Sequence, residues 1–195
     1  MGHKPKSLLL LNGEPLIRRS AHQLLGAGVS QLVVVLGHYA QDIAAALHGL
    51  PVRTVLNHQP DTGLVSSQRL GLQAIDQGAE VVVMSLADQP LVTSDDISGL
   101  LHAFAQRDKG IELLFPRVQG QPGNPVLLSA VAKDDILAAD QAYGCKEWRQ
   151  AHAPRTQALN SDNLHFVTDL DRPEDVATFE QRHGMSLHWP SAWAD

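Results

Sequence analysis

Short apolar runs alternate along this chain with segments in which apolar residues recur every three or four positions. The runs have the length and β-branched composition of buried strands, and they lie at 31–36, 52–56, 81–86, 111–115, 126–128 and 164–167. The periodic segments predict helices at about 15–26, 41–48, 66–77, 129–152 (two short helices) and 173–182, with a further helix from 94. Because strands and helices alternate, the pattern indicates an α/β fold with a mostly parallel sheet.

The length and composition fit one globular domain. The chain has 195 residues, of which 44% are hydrophobic and 18% are charged. A chain of this size has room for a full hydrophobic core. We expect a single domain over residues 1–182, followed by a C-terminal tail over 183–195 in which Trp189 and Trp193 show no periodicity.

Charge and cysteine content narrow the possible environments and partners. The net charge is −6, from 21 acidic and 15 basic residues, and no Lys/Arg cluster is dense enough for a nucleic-acid interface. No apolar run reaches the length that crosses a bilayer, so we expect no membrane partner. Cys145 is the only cysteine, which excludes a disulfide framework and a cysteine metal cage and favours a reducing cytoplasm.

A single carboxylate, Asp88, follows the apolar run at 81–86. In open α/β sheets, ligands bind beyond the carboxyl ends of the strands, so Asp88 lies where such a fold binds its substrate. A hard carboxylate there suits a Mg²⁺ ion that keeps some of its waters and contacts substrate phosphates. The alternative is a turn aspartate that caps the loop after the strand.

A second candidate site is the segment from Gly63 to Leu72, in which Ser66, Ser67 and Arg69 open a predicted helix. Free N–H groups at a helix start attract anions and carbonyl edges, and serine hydroxyls both donate and accept hydrogen bonds. The segment is therefore a candidate for binding the edge of a base. The alternative is simple N-capping by one of the serines, with a solvated arginine.

Two charged residues near the ends of the chain are further candidates. Lys6 follows a proline and can neutralise a phosphate, although a frayed basic terminus is the simpler explanation. Asp171 lies before the last predicted helix and can supply a second metal carboxylate on the same sheet edge as Asp88. Its alternative role is helix capping.

The loop Gly123-Asn124-Pro125 has little side chain and can approach a flat ligand closely, or it can be an ordinary turn before a strand. Other common sites are not indicated. The ten histidines show no trusted metal spacing, and no Ser/His/Asp set with a nucleophile elbow is present. Cys145 is expected to be a small buried residue, and the sequence lacks the Gly-x-Gly-x-x-Gly of a Rossmann dehydrogenase.

Taken in order, these signals resemble the MobA-like nucleotidyltransferases, and they are most similar to the molybdenum cofactor cytidylyltransferase branch. The matching motifs are Met1-Gly2, Pro5-Lys6, Leu8-Leu9, Gly13-Glu14-Pro15-Leu16, Gly63 to Gly71, Asp88-Gln89-Pro90, Gly123-Asn124-Pro125 and Asp169 to Asp175. The Ser-Ser-x-Arg-x-Gly segment favours the cytidylyl branch over the guanylyl branch. Three small departures are Arg172 for threonine, Asn124 for histidine and one residue inserted before Pro5.

A larger departure concerns the start of the chain. The family's first strand and most of its glycine-rich loop are expected upstream of Met1, so that this chain begins at an internal methionine. In this family the first strand is central, between the strands predicted at 31–36 and 81–86. We therefore predict a Rossmann-like three-layer fold with a gap at that position, and we predict that the run at 8–11 does not fill it.

The resemblance implies transfer of a cytidylyl group from CTP to the terminal phosphate of molybdenum-bearing molybdopterin, with release of pyrophosphate. It implies that Asp88 and Asp171 hold Mg²⁺ and that Lys6 contributes positive charge at the α-phosphate. It also implies that Gly63, Ser66 and Ser67 contact the cytosine, and that Arg69 fixes the start of the helix that carries the two serines. The loop Gly123-Asn124-Pro125 is implied to contact the pterin.

A molybdoenzyme or its chaperone is a possible protein partner. Two alternatives stay open. One is a nucleotide- or cofactor-binding protein, such as a chaperone, that has lost catalysis. The other is a sugar or small-alcohol nucleotidyltransferase of the same fold, because fold does not fix substrate.

Overall fold

The computed structural model describes residues 4–194, so the match at Met1-Gly2 lies outside the described residues. The α-helices are α1 Leu16–Gly26, α2 Ala40–Ala46, α3 Leu64–Ala74, α4 Ser94–Ala105, α5 Ala130–Ala138, α6 Cys145–Ala151 and α7 Pro173–His183. The strands are β1 Leu10–Leu11, β2 Glu14–Pro15, β3 Val33–Leu36, β4 Arg53–Leu56, β5 Val81–Met84, β6 Leu113–Val118, β7 Gln121–Pro122, β8 Val126–Ser129, β9 Thr156–Ser161 and β10 Leu187–His188.

The larger sheet has five strands, in the order β5-β8-β6-β7, with β9 paired to β6. Strand β8 runs antiparallel to both β5 and β6, whereas β9 runs parallel to β6. Strands β5, β6 and β9 therefore point in one direction, and their carboxyl ends meet at the same edge. Together with the parallel pair β3–β4, this confirms the predicted α/β fold with a mixed, mostly parallel sheet.

Strands β3 and β4 form a separate two-stranded sheet. The predicted gap is present, because no strand among residues 4–194 pairs with β3 or β5 on the sides that face each other. The N-terminal run contributes β1, which pairs with β2 and β10 in a small antiparallel sheet. The prediction that residues 8–11 do not fill the gap is confirmed.

The gap is lined by backbone and by apolar side chains. Arg53 N donates to Leu32 O at 2.9 Å and Asn57 N donates to Leu36 O at 2.7 Å, so the even-numbered residues of β3 face β4. Successive residues of a strand point their backbone groups to opposite sides, so those of Val33 and Val35 face the gap. A cavity of about 420 Å³ occupies this space, with residues of β3, β5, α1 and α3 in its walls.

Apolar clusters cover both faces of the larger sheet. Trp148, which is fully buried, and its neighbours pack with α3, α5 and α6 on one face, and Phe104 of α4 packs on the other face. A third cluster joins α1 to residues of both sheets, including Val34 and Val83. The clusters therefore hold the two sheets together where hydrogen bonds do not.

The run at 164–167 is a 3₁₀ helix, so the prediction of a strand there is wrong. The Asn163 side chain starts this turn by accepting from His165 N at 3.0 Å, a local bond that competes with strand pairing. The last long strand is β9, which lies earlier, over Thr156–Ser161, and pairs with β6 along its full length.

The segment after α7, which was predicted as a tail, adds strand β10. Leu187 is buried, and the Trp193 ring packs edge-on against Tyr39 at 5.1 Å between ring centroids. Within residues 4–194, no helix combines the length and the apolar character that crossing a bilayer requires.

Candidate active site

Asp88 lies in the loop that leaves the carboxyl end of β5. Its backbone oxygen accepts a hydrogen bond from Leu170 N at 3.1 Å, which fixes the loop to the segment before α7. Its side-chain Oδ1 is buried and has no hydrogen-bond partner within the described structure. Burial raises the pKa of Asp88, and the nearby negative charge of Asp169 adds to this effect.

The segment before α7 brings further charges to the same place. Lys6 Nζ donates to Asp171 Oδ1 at 2.7 Å, although the two residues are 165 positions apart. Asp169 Oδ1 accepts from Gln89 Nε2 at 2.7 Å, and burial raises the pKa of Asp169. The structure therefore brings Lys6, Asp88 and Asp171 together.

The donor set can be tested against a divalent cation. Among residues 4–194, no group of three or more His, Cys, Asp or Glu side chains is arranged as a metal cage. A buried carboxylate oxygen that lacks a partner nevertheless needs a cation or a donor, and Asp88 Oδ1 is such an atom. An ion held by one or two carboxylates, waters and substrate phosphates fits this pattern, and Mg²⁺ is typical of it.

A cleft of about 360 Å³ lies beside these charges. Lys6 and Asp88 line this cleft together with His38 and Tyr39. His38 and Tyr39 follow β3, whereas Asp88 follows β5, so the cleft spans the carboxyl ends of both sheets. This is the position where ligands bind in open α/β sheets.

The start of α3 leaves backbone donors without a side-chain cap. Its N-cap residue is Gly63, whose φ of 102° is rare for other residues, and no side-chain hydrogen bond caps the helix. Neither serine acts as the cap. The buried Asn57 Nδ2 instead donates to Ser66 Oγ at 2.9 Å and to Ser67 Oγ at 3.0 Å. The helix start therefore keeps free N–H groups and has serines held in place.

Arg69 contacts the end of α5 and not the start of α3. Its guanidinium donates to the carbonyls of Leu137 at 3.0 Å and Ala139 at 3.1 Å, and also to that of Ile136. Further bonds reach the carbonyls of Asp140 and Tyr143, both at 3.2 Å. The side chain is therefore neither solvated nor directed at the first turn, and the prediction that it fixes that helix start is corrected.

The loop Gly123-Asn124-Pro125 lies against the 3₁₀ helix that precedes Asp169. Asn124 N donates to Phe166 O at 2.9 Å, and a Cβ added at Gly123 would lie 2.4 Å from the same oxygen. Gln89 Nε2 also donates to Phe166 O, at 3.1 Å, so the loop reaches the Asp88 region through one shared carbonyl. Only glycine allows this approach, and Asn124 also lines the cavity beside α3.

Three residues of this region were not recognised from the sequence as individual candidates. They are Asn57, Gln89 and Asp169. A signal existed for Asn57, because it directly follows β4 and so lies at a carboxyl edge. Gln89 and Asp169 were visible only as motif members, and their mutual bond depends on tertiary folding.

Comparisons with known proteins identify the family. The family described as the MobA-like NTP transferase domain matches residues 1–159. Nicotine blue oxidoreductase from Paenarthrobacter nicotinovorans is 34% identical over 101 residues, which is 52% of this chain and 49% of that protein. The chain spans about half the length of that relative and about a third of a GlmU protein from Sorangium cellulosum that it also matches.

Solved structures support the fold. A nucleotidyl transferase from Methanothermobacter thermautotroptrophicus aligns with a TM-score of 0.74 and 23% identity, over 91% of this chain and 84% of that one. The manganese complex of Rv0371c from Mycobacterium tuberculosis aligns with a TM-score of 0.74 and 22% identity, over 92% and 93% of the two chains.

Proposed function

Because the chain belongs to the MobA-like NTP transferase family, we propose that it is built to transfer a cytidylyl group from CTP to molybdenum-bearing molybdopterin, releasing pyrophosphate. The observation that carries the proposal is the buried Oδ1 atom of Asp88, which has no hydrogen-bond partner, beside the Lys6–Asp171 ion pair. Lys6 and Asp88 line a cleft at the carboxyl edge of an α/β sheet.

The charged residues would position the reacting phosphate. Asp88 and Asp171 would hold a divalent cation, Mg²⁺ in this proposal, and the manganese complex of a protein of the same fold supports a divalent metal. When bound, the cation would offset negative charge on the α-phosphate as pyrophosphate leaves. Lys6 would add positive charge at the same place, since nucleotidyl transfer depends mainly on positioning and electrostatics.

The start of α3 would bind the base. Gly63 leaves the first backbone donors of the helix open, and Ser66 and Ser67 present hydroxyls that Asn57 holds in place. A cytosine offers both acceptors and a donor on one edge, which this mixed set of groups can match. Arg69 would act indirectly, by holding α3 against α5.

The loop Gly123-Asn124-Pro125 would border the acceptor side. It lies next to the cavity wall and is fixed to Phe166, which also fixes Gln89 beside Asp88. The acceptor phosphate would attack the α-phosphate in line, and no covalent enzyme intermediate is needed. A molybdoenzyme or its chaperone would receive the product.

The test is CTP-dependent pyrophosphate release by the Asp88→Ala variant of the full-length protein. We expect a loss of about 100-fold or more, because the metal carboxylate acts on the reacting phosphate. Asp95→Ala is the matched control, since Asp95 is an exposed acid outside the cleft. Near-normal release by Asp88→Ala would remove this residue from the mechanism.

The gap between β3 and β5 favours a second candidate, namely nucleotide or cofactor binding without catalysis. Within residues 4–194, the cleft spans two sheets that share no backbone hydrogen bonds. Such an arrangement holds the reacting groups less rigidly than one continuous sheet would. A protein of this kind would bind CTP and release no pyrophosphate. Measuring both quantities on the same sample separates the two candidates.

A further inference from the structure

Two arginines flank a single phenylalanine ring on the larger sheet. The guanidinium carbon of Arg149, on α6, lies 4.6 Å from the centre of the Phe115 ring, and that of Arg117, on β6, lies 5.3 Å from it. Phe115 is buried, so the ring forms a fixed platform. The two side chains reach it from different elements, which brings two positive charges to one spot in a chain of net charge −6.

Neither guanidinium has a hydrogen bond or an ion pair within residues 4–194. Burial lowers the pKa of Arg149, and the positive charge of Arg117 adds to this effect. Two like charges without an acid partner create a positive potential that favours an anion, and an anion can reach them because Arg117 is exposed and Arg149 is half-buried. The pair therefore differs from an ordinary surface arginine.

Two other arginines that lie on aromatic rings have hydrogen-bond partners for their guanidinium groups. Arg155 lies 5.2 Å from the Trp148 ring and also donates to Asp135 Oδ2 at 3.2 Å. Arg107 lies 3.8 Å from the Phe104 ring and donates to the carbonyls of that residue and of Ile111, at 2.7 and 2.8 Å. Only the pair on Phe115 combines a ring contact with wholly unused N–H donors among these four arginines.

The fold places this pair toward the carboxyl edge of the larger sheet. Arg117 is one residue from the end of β6, whose carboxyl end shares an edge with that of β5 and hence with Asp88. Arg117 pairs with Pro122, and the chain continues directly into Gly123-Asn124. Helix α6 begins beside α3, where Cys145 N donates to Gln68 Oε1 at 3.3 Å. The arginines therefore lie beside the loop that would border the acceptor.

We propose that Arg117 and Arg149 form a subsite for the phosphomonoester group of the acceptor substrate. This proposal rests on the proposed nucleotidyl transfer for the identity of the acceptor, and on the structure alone for anion binding. A guanidinium that lies over a ring keeps its in-plane N–H groups free, and its planar fork matches two phosphate oxygens. Two such forks suit one dianionic phosphate.

The binding test measures the affinity for methyl phosphate by isothermal titration calorimetry at constant ionic strength. We expect Arg117→Gln and Arg149→Gln each to weaken binding by about 10-fold, and the double variant by about 100-fold, as for charged hydrogen bonds. Arg149→Lys keeps the charge but loses the fork, so it should fall between the wild type and Arg149→Gln. Urea unfolding of each variant shows whether it is folded.

Arg155→Gln is the matched control, because Arg155 also lies on an aromatic ring, that of Trp148, but already has an acid partner. It should leave the methyl phosphate affinity within about 2-fold of the wild type. The proposal is overturned if the folded double variant binds methyl phosphate as tightly as the wild type, or if Arg155→Gln weakens binding equally.

A second titration, with CTP, identifies the source of the phosphate. The acceptor assignment requires the CTP affinity of the double variant to stay within about 3-fold of the wild type. An equal loss for CTP and methyl phosphate would assign the arginines to the triphosphate and overturn it. Neither titration needs turnover, so absence of pyrophosphate release would count against the proposed function without touching the subsite.

Discussion

The two sheets of this protein differ in how their strands are held. In the larger sheet, β6 is hydrogen-bonded to β8 on one side and to β9 on the other, and its side chains are almost all buried. In the smaller sheet, β3 is bonded only to β4, and most of its residues are half-buried. The candidate site uses both sheets, so one wall of the cleft is fixed by backbone bonds and the other by side-chain packing.

This difference bears on function because the cleft lies across the gap. Asp88 follows β5 of the larger sheet, whereas His38 and the serines of α3 belong to the region of the smaller sheet. Their separation is set by the apolar cluster in which Val34 and Val83 pack against the same neighbours. We therefore expect the nucleotide side of the cleft to be less stable than the metal side.

The largest expected effect is on the free energy of unfolding after removal of a core leucine. Leu127→Ala, in the larger sheet, should cost about 2–5 kcal/mol, because Leu127 is fully buried and its removal creates a new cavity. Leu32→Ala, next to β3, should cost clearly less, because Leu32 already borders the cavity in the gap. Urea unfolding of both variants makes the comparison.

Leu127 and Leu32 suit this test because the two substitutions remove the same atoms and both side chains are buried, with 0% and 9% of their surface exposed. Equal losses of stability would show that the gap does not weaken the packing around β3. The two sheets would then not differ in the stability of their packing.

Hydrogen exchange provides a second, smaller contrast within one strand. The amides of Val34 and Leu36 face β4, whereas those of Val33 and Val35 face the gap. Amides without a partner exchange through small local openings, so we expect Val33 and Val35 to exchange on the order of 100-fold faster than their neighbours. Uniform protection along β3 in residue-resolved exchange would contradict a gap in solution.

Much of the fold was predictable from the sequence because the main strands are continuous apolar runs. Strands β3, β5 and β8 are such runs, and a run of this kind has few alternatives to a buried strand. Strand β9 was not predictable, since its sequence TQALNS has no such run and it pairs with β6 through tertiary contacts. The apolar residues at 164–167 were misleading because Asn163 forms a local turn instead.

The site was predictable to the extent that its residues follow strands. Asp88 could be found in this way, and the order of motifs added Lys6 and Asp171. The Lys6–Asp171 bond could not be predicted physically, because it joins residues 165 positions apart. Arg69 was predicted in the right segment with the wrong contacts, since only the folded chain brings the carbonyls after α5 within its reach.

A third prediction concerns the capping box at the start of α4, the helix that packs against the larger sheet. Burial alone would raise the pKa of Asp96, but hydrogen bonds from His165 and Thr93 outweigh this and hold the pKa below its ordinary 3.8. An acid with a lowered folded pKa stabilises the fold above its unfolded pKa, and this contribution is lost as the pH falls through the folded pKa. Asp96→Ala should cost about 1 kcal/mol at pH 7, as for loss of a cap.

The cost of Asp96→Ala should shrink as the pH is lowered below about 4, because the wild-type carboxylate then becomes protonated. Unfolding by urea at a series of pH values measures this. Asp95→Ala is the control, since Asp95 is an exposed acid in the same helical turn and should change the stability little at any pH. A cost that is independent of pH would show that the charge of Asp96 does not contribute.

The smallest expected effect on stability is also the one that links the comparison to function. The pKa of Asp88 is raised by burial and by Asp169, so the ionised carboxylate destabilises the metal-free fold at neutral pH. Asp88→Asn should therefore raise the free energy of unfolding slightly in EDTA, by less than the cap effect. Added Mg²⁺ should then stabilise the wild type and leave Asp88→Asn unchanged, because only an ion bound to the folded state shifts the unfolding equilibrium. If Asp88→Asn is less stable than the wild type in EDTA, or if Mg²⁺ stabilises both proteins equally, the buried carboxylate is structural and the larger sheet does not supply the metal side of the cleft.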